Sequence, residues 1–134
     1  MRKHLIASIA AGLFLFGSSA LAHHPFSAEY DSNKPAQIEG RVTKVDWGNP
    51  HSFLTIEGRD GKGHNEHFKV ELGSHHALEG KGWKKSSVRV GDEVTVDGWY
   101  GRSDNDHVNA QFVRVHHNGK QFDAASSYFS AAGN

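Results

Sequence analysis

The apolar pattern that opens the central part of the chain reverses its face. Ile38, Gly40 and Val42 alternate on one side, and Val45 and Trp47 then take the opposite parity. Successive side chains of a strand point to opposite faces. A strand with its core on one side therefore keeps that core through such a flip only where an extra residue or a sharp bend is inserted. The flip predicts a bulge near Thr43-Lys44 in a long, curled first strand. Strands that must curl in this way suit a small closed β fold, whose strands tilt and coil around an axis.

The rest of the periodicity fits that frame. Gly48-Asn49-Pro50 breaks the strand, and Phe53 to Glu57 resumes it, with Leu54 and Ile56 alternating against Phe53 and Thr55. Gly58 to Gly63 reads as a polar, glycine-rich turn, and Phe68, Val70 and Leu72 mark a third strand by strict alternation. Ser74 is the expected N-cap of one short helix over His75 to Gly82, which Gly80 and Gly82 keep weak. Leu78 and Trp83 are expected to face the sheet. Glu93 to Trp99 forms a fourth strand with Val94 and Val96 inward, followed by a turn over Gly101 to Asp106. Val108, Ala110 and Phe112, then Val113 and Val115, form a fifth strand that again switches parity. Three strands, a short helix and two strands is the element order of an OB-type fold. The expectation is mainly β: a five-stranded OB-like barrel over residues 37–117, with the helix between strands three and four. A β-sandwich normally needs about seven strands.

The N-terminal region reads as an export signal. Met1-Arg2-Lys3-His4 is basic, Leu5 to Phe16 is apolar, and Ala20 and Ala22 stand at the small-residue positions of a cleavage site, so residues 1–22 are expected to be a signal peptide. The apolar run is about 12 residues, against the ~20 needed to span a bilayer. The product is expected to be periplasmic or secreted, with no membrane anchor after cleavage. The chain has no cysteine, which excludes disulfides, thiolate metal sites and lipid attachment at cysteine. Residues 23–36, with Pro25, Pro35 and the Asp31-Ser32-Asn33-Lys34 cluster, read as an irregular arm that Phe26 and Tyr30 pin to the domain. Residues 118–134 read as a flexible tail.

Charge argues against one class of partner. Loss of Arg2 and Lys3 with the leader takes two from the 15 Lys and Arg, against 15 Asp and Glu, for a formal net of −2. That balance offers no basic footprint for nucleic acid. Histidine is the unusual component, at 11 in the chain, of which all but His4 follow the leader.

Cleavage after Ala22 would free an α-amine on His23, with a second imidazole at His24. A neutral amine and imidazole are the donors that copper, nickel and zinc accept. His51 follows Asn49-Pro50, where a turn fixes its direction, so the amine, His23 and His51 are candidates for a T-shaped, three-nitrogen site for Cu(II), with Zn(II) second. Pro25 lacks an N–H, so a chelate through successive amides to a third-position histidine cannot form. His64 and His67, and the neighbours His75-His76 and His116-His117, diverge on their elements and read as solvated. Trp47, Asn49 and Phe53 form a possible ligand face beside His51, while Trp83 reads as core.

Several stretches together resemble a known family: Ala22-His23-His24-Pro25-Phe26, Val45-Asp46-Trp47-Gly48-Asn49-Pro50-His51, Glu71-Leu72-Gly73-Ser74, Gly82-Trp83, and Gly91-Asp92-Glu93-Val94-Thr95-Val96-Asp97-Gly98. In this order they are similar to the small exported bacterial proteins catalogued as domain of unknown function 6152. Pro25 stands where that family has Ser, and His75-His76 where it has Pro-Asn. The resemblance implies export and a small β-domain, and no activity.

For catalysis the sequence is poor. It has no G-x-S-x-G, no cysteine nucleophile, no H-E-x-x-H and no phosphate loop. Glu71 and Asp46 could act as acids or bases, but scattered carboxylates of this kind occur in every soluble domain. The expectation is a non-enzymatic exported binding protein for a transition metal through His23, His24 and His51. The alternatives are a module that binds a small ligand or an exported protein without metal, and, more remotely, a copper-dependent oxidative enzyme.

Overall fold

A computed structural model describes residues 26–125. The expected signal peptide, His23, His24 and the end of the tail lie outside the described residues. A four-residue helix, α1 (Phe26–Glu29), leads directly into β1 (Tyr30–Asp46), followed by β2 (Ser52–Asp60), β3 (Asn65–Leu72), α2 (His75–Gly80), β4 (Glu93–Gly101), β5 (His107–Val115) and β6 (Gln121–Asp123). The fold is mainly β, as expected.

The strands form one sheet in the order β3-β2-β1-β4-β5-β6, with neighbours antiparallel, and β3 also pairs with β5 in parallel. That last ladder joins Lys69, Val70 and Glu71 to His107, Val108 and Asn109. The sheet is therefore ring-like, closed by this short parallel ladder rather than paired along full strand lengths as in a barrel. Its interior holds Ile38, Val42, Leu54, Ile56, Phe68, Val70, Val96, Val108 and Val113, all without exposed surface.

The two phase flips have physical counterparts. β1 shifts register against β2 between Val42 and Lys44, which leaves Thr43 as the inserted residue. The Gly91-Asp92 turn docks there, with Val42 N–H donating to the Asp92 carbonyl at 2.9 Å and Gly91 N–H to the Val42 carbonyl at 2.7 Å. β5 shifts against β4 where Asp97 pairs with Phe112 and Gly98 with Ala110, so Gln111 is the inserted residue. Each bulge re-aims the residues after it without moving the core to the other side of the sheet.

Several boundaries differ from expectation. β1 begins at Tyr30, inside the expected irregular arm, and Tyr30, Pro35 and Ala36 pair with β4, while Asp31 to Lys34 bulge out of the ladder as their turn chemistry implies, with Asn33 N–H donating to Asp31 Oδ1 at 2.9 Å. Pro35 is tolerated there because β2 joins β1 only from Ile38 onward, which leaves Pro35 with a single paired neighbour, Trp99. β2 runs on through Asp60, and the hairpin turn is tighter than the polar composition of 58–63 implies. The Asp60 carboxylate closes it by accepting from the backbone N–H groups of Lys62 and His64, both at 2.9 Å. The sheet has six strands instead of five, because Gln121–Asp123 pairs with β5. Residues 121–125 are thus ordered by the fold: the Trp83 indole donates to the Asp123 carbonyl at 2.7 Å, and Ala124 is fully buried.

The helix matches expectation in kind and is shorter. Ser74 caps it, its hydroxyl accepting from Ala77 N–H at 3.1 Å, and Leu78 is its buried residue.

Candidate functional site

The alternation of β3 sends Phe68, Val70 and Leu72 inward and Glu71 to the opposite face. A carboxylate on that face normally meets water, yet Glu71 is only 5% exposed. Two side chains cover it. The Tyr30 hydroxyl, from the start of β1, donates to Oε2, and His51, from the turn before β2, places Nδ1 against Oε1. Burial, then the hydrogen bond to Glu71 and the charge of that carboxylate, push the Tyr30 hydroxyl far above the ordinary phenol range. Tyr30 is thus a permanent donor at any physiological pH.

Cross-strand register extends this cluster into a row. Phe53 pairs with Glu71, Glu71 with Asn109, Asn109 with Trp99 and Trp99 with Pro35. Directly paired residues share a face, so these five residues cross the outside of the ring side by side. Asn109 is 2% exposed, and among the described residues its Oδ1 has no hydrogen-bond donor. Above the row, the Phe26 ring stacks on Tyr30 at 5.6 Å and meets Trp99 edge-on at 5.7 Å. The segment that leads into β1 therefore roofs a patch that contains a buried carboxylate and a buried amide oxygen.

Backbone contacts fix the surroundings of His51. Ser52 N–H donates to the Gly73 carbonyl at 3.0 Å, Gly48 N–H to the Ser52 hydroxyl at 3.2 Å, and His75 N–H to the Gly48 carbonyl at 3.0 Å. The Asn49–Pro50 peptide bond is cis. The His51 side chain retains 21% exposure, so the imidazole reaches from the buried carboxylate to the surface.

The other residues singled out in the sequence fall as follows. Trp47 lies against Trp83, edge-on at 5.9 Å, and near His75 at 6.0 Å. Phe53 instead sits under the Lys69 ammonium, 4.4 Å from its ring centre, so the two aromatic rings pack against different neighbours. Asn49 is exposed in the turn. Trp83 is core. His64 contacts Asp60 at 3.2 Å, and His116 lies 2.8 Å from the Thr95 hydroxyl. His75 Nε2 is buried 2.9 Å from Glu79 Oε1, at an angle that makes no hydrogen bond. Among the described residues, no three His, Asp or Glu side chains converge as a metal cage, and no helix is long and apolar enough to cross a membrane.

The sequence names Glu71, with Asp46, as a possible acid or base among scattered carboxylates, with nothing that marks it as buried. Its alternation with Phe68, Val70 and Leu72 gives it the signature of a solvated position. The residues that bury it arrive from strand and turn contacts 41 and 20 positions away in sequence.

Fold and cluster together define a small, mainly β domain with a polar Tyr–Glu–His site on the outside of a ring-like sheet. The chain belongs to the family of unknown function catalogued as domain of unknown function 6152, whose family model matches residues 12–111. No curated protein and no solved structure matches it.

Proposed function

We propose that this protein is an exported binding module on an OB-type scaffold, which takes one transition-metal ion, Cu(II) by preference, through the histidine freed after Ala22 together with His51. The contact of His51 Nδ1 with the buried Glu71 carboxylate carries the reading. Histidines that ligate metals almost always give their other ring N–H to a carboxylate, a carbonyl or water, which fixes the ring and raises its basicity. His51 has that partner, and its ring reaches the surface.

Chain geometry supports the role of His23, with His24 as a further candidate ligand. Three residues of extended chain span roughly 10 Å, and Phe26 is stacked on Tyr30, which shares Glu71 with His51. The first described residue thus lies against Tyr30, the residue that shares Glu71 with His51. Amine and imidazole nitrogens favour Cu(II) over Zn(II) in the usual order of divalent-metal affinities. The OB-type reading is supported by the ring order β1-β2-β3-β5-β4 and by α2 lying between β3 and β4.

The test uses protein recovered from the periplasmic fraction, with its first residue identified by N-terminal sequencing. Cu(II) and Zn(II) are titrated into this protein, a variant with one extra residue before His23, and His51→Ala. One equivalent of Cu(II) is expected for the native start, with at least tenfold weaker binding by both variants. The extra residue keeps every imidazole and moves only the amine. Equal, weak, multi-site binding by all three, or a first residue other than His23, overturns the reading.

A further inference from the structure

We propose that Glu71 is the positioning residue for His51: its carboxylate keeps the ring proton on Nδ1 and so turns the Nε2 lone pair toward the metal ion. The inference rests on the metal-binding reading above and assigns a role to a residue outside the ligand set. A neutral imidazole carries its proton on one nitrogen and its lone pair on the other, and the partner of the first decides which. Here the partner is a carboxylate that accepts from Tyr30 at one oxygen and faces His51 Nδ1 with the other. An ionised carboxylate has no proton to offer, so beside one a lone pair on Nδ1 would meet a lone pair on Oε1. The tautomer with the proton on Nδ1 is selected, and Nε2 becomes the donor atom for a metal.

Three observations show that Glu71 is built to hold one orientation. Its backbone is paired on both sides, with Phe53 of β2 and Asn109 of β5, so its strand position does not shift. Tyr30 and Glu71 are each 5% exposed, which keeps water from competing for the second oxygen. The Tyr30 hydroxyl, held far above the usual phenol range by burial and by Glu71, does not ionise under physiological conditions and keeps donating. One carboxylate oxygen is therefore fixed by a neutral, buried donor, and the other is left to orient the imidazole. Outer partners of this kind are typically worth about 10–100-fold in metal affinity.

The test has a readout that needs no metal. In metal-free, 15N-labelled protein, two-bond proton–nitrogen correlation spectra of the His51 ring should show a protonated, pyrrole-like Nδ1 and a pyridine-like Nε2. Glu71→Gln brings an amide donor into the pocket, so this pattern should shift toward the other tautomer, and Cu(II) affinity should fall about 10–100-fold with the one-to-one stoichiometry kept. Tyr30→Phe retains the carboxylate and frees one oxygen, which serves if Glu71→Gln fails to fold; a loosened ring and a severalfold weaker Cu(II) site are expected. A purely structural role for Glu71 would lower the melting temperature without moving the tautomer. A wild-type His51 with its proton on Nε2, or an unchanged tautomer and Cu(II) affinity in both variants, overturns the inference even if copper binds. The expected tautomer in a wild-type protein that binds no copper overturns the metal reading instead.

Discussion

Tyr30 and His51 hold the two oxygens of one buried carboxylate, that of Glu71. The start of the first strand and the turn before the second are thereby tied to the end of the third, at a place where alternation alone would leave a solvated acid. Tyr30→Phe removes one donor and keeps the ring that stacks against Phe26. The freed oxygen stays buried, and an unsatisfied buried acceptor costs about 1–3 kcal/mol, more when it carries charge. Urea denaturation should show a lower midpoint with an unchanged slope, the mark of lost stability without a change in the denatured state. A midpoint equal to wild type would mean that the hydroxyl contributes nothing at this site.

A second tyrosine predicts how stability depends on alkaline pH. The Tyr100 hydroxyl donates to Asp60 at 3.2 Å, and burial, then the charge and hydrogen bond of Asp60, push its pKa up from 10.0 to about 12. The folded state therefore favours the protonated phenol more than the unfolded state does. This contribution is complete below pH 10.0 and is lost as pH rises toward about 12. Phenolate absorbance of the folded protein should show Tyr100 titrating late, and unfolding free energy should decline across that window. Tyr100→Phe should flatten the decline; Tyr30, raised as well, continues to contribute in the variant. A variant whose stability falls with pH as steeply as wild type would remove the claim.

The parts of the fold legible in the sequence are those set by local pattern. The bulge at Thr43 announced itself as a change of parity, because a one-residue insertion moves every later side chain to the other face. Ser74 announced the helix through capping chemistry, and the flip before Val113 announced the bulge at Gln111. What stayed hidden depends on residues far apart. Asp31-Ser32-Asn33 keep their turn chemistry as a bulge, and what local pattern does not show is that Tyr30 before it and Pro35 after it pair with β4, with the Lys34 ammonium on the Gly101 carbonyl at 2.9 Å. Gln121-Phe122-Asp123 is too short to show a period and is held by Trp83, Lys81 and β5. Of the candidate site, His51 was visible through its Pro-fixed turn. Glu71 was not, because its burial follows from the β3–β5 closure and from Tyr30, and neither leaves a mark on the residues around Glu71.

The same closure gives the last prediction, which concerns backbone approach beside the outer row. A Cβ at Gly98 would lie 1.9 Å from the Asn109 carbonyl oxygen and 3.1 Å from the Ala110 Cα. Both are backbone atoms of a strand that pairs with β4 on both sides of the Gln111 bulge and with β3 at Asn109, so neither can retreat alone. Gly98→Ala must then push β5 away from β4 at the Gln111 bulge, next to the residue that neighbours Glu71. Overpacking of this kind costs about 1–3 kcal/mol and more where backbone has to move, and the upper end or beyond is expected here. Gly61→Ala is the matched control. A Cβ at Gly61 meets nothing within 4 Å, and the residue is not among the glycines with positive φ. Substitution there should be neutral or stabilise by about 0.4–1 kcal/mol, by restricting the unfolded chain. Thermal unfolding of the two variants side by side separates close packing from the intrinsic effect of replacing glycine. A Gly98→Ala protein that melts with Gly61→Ala would show that β4 and β5 are not packed this closely.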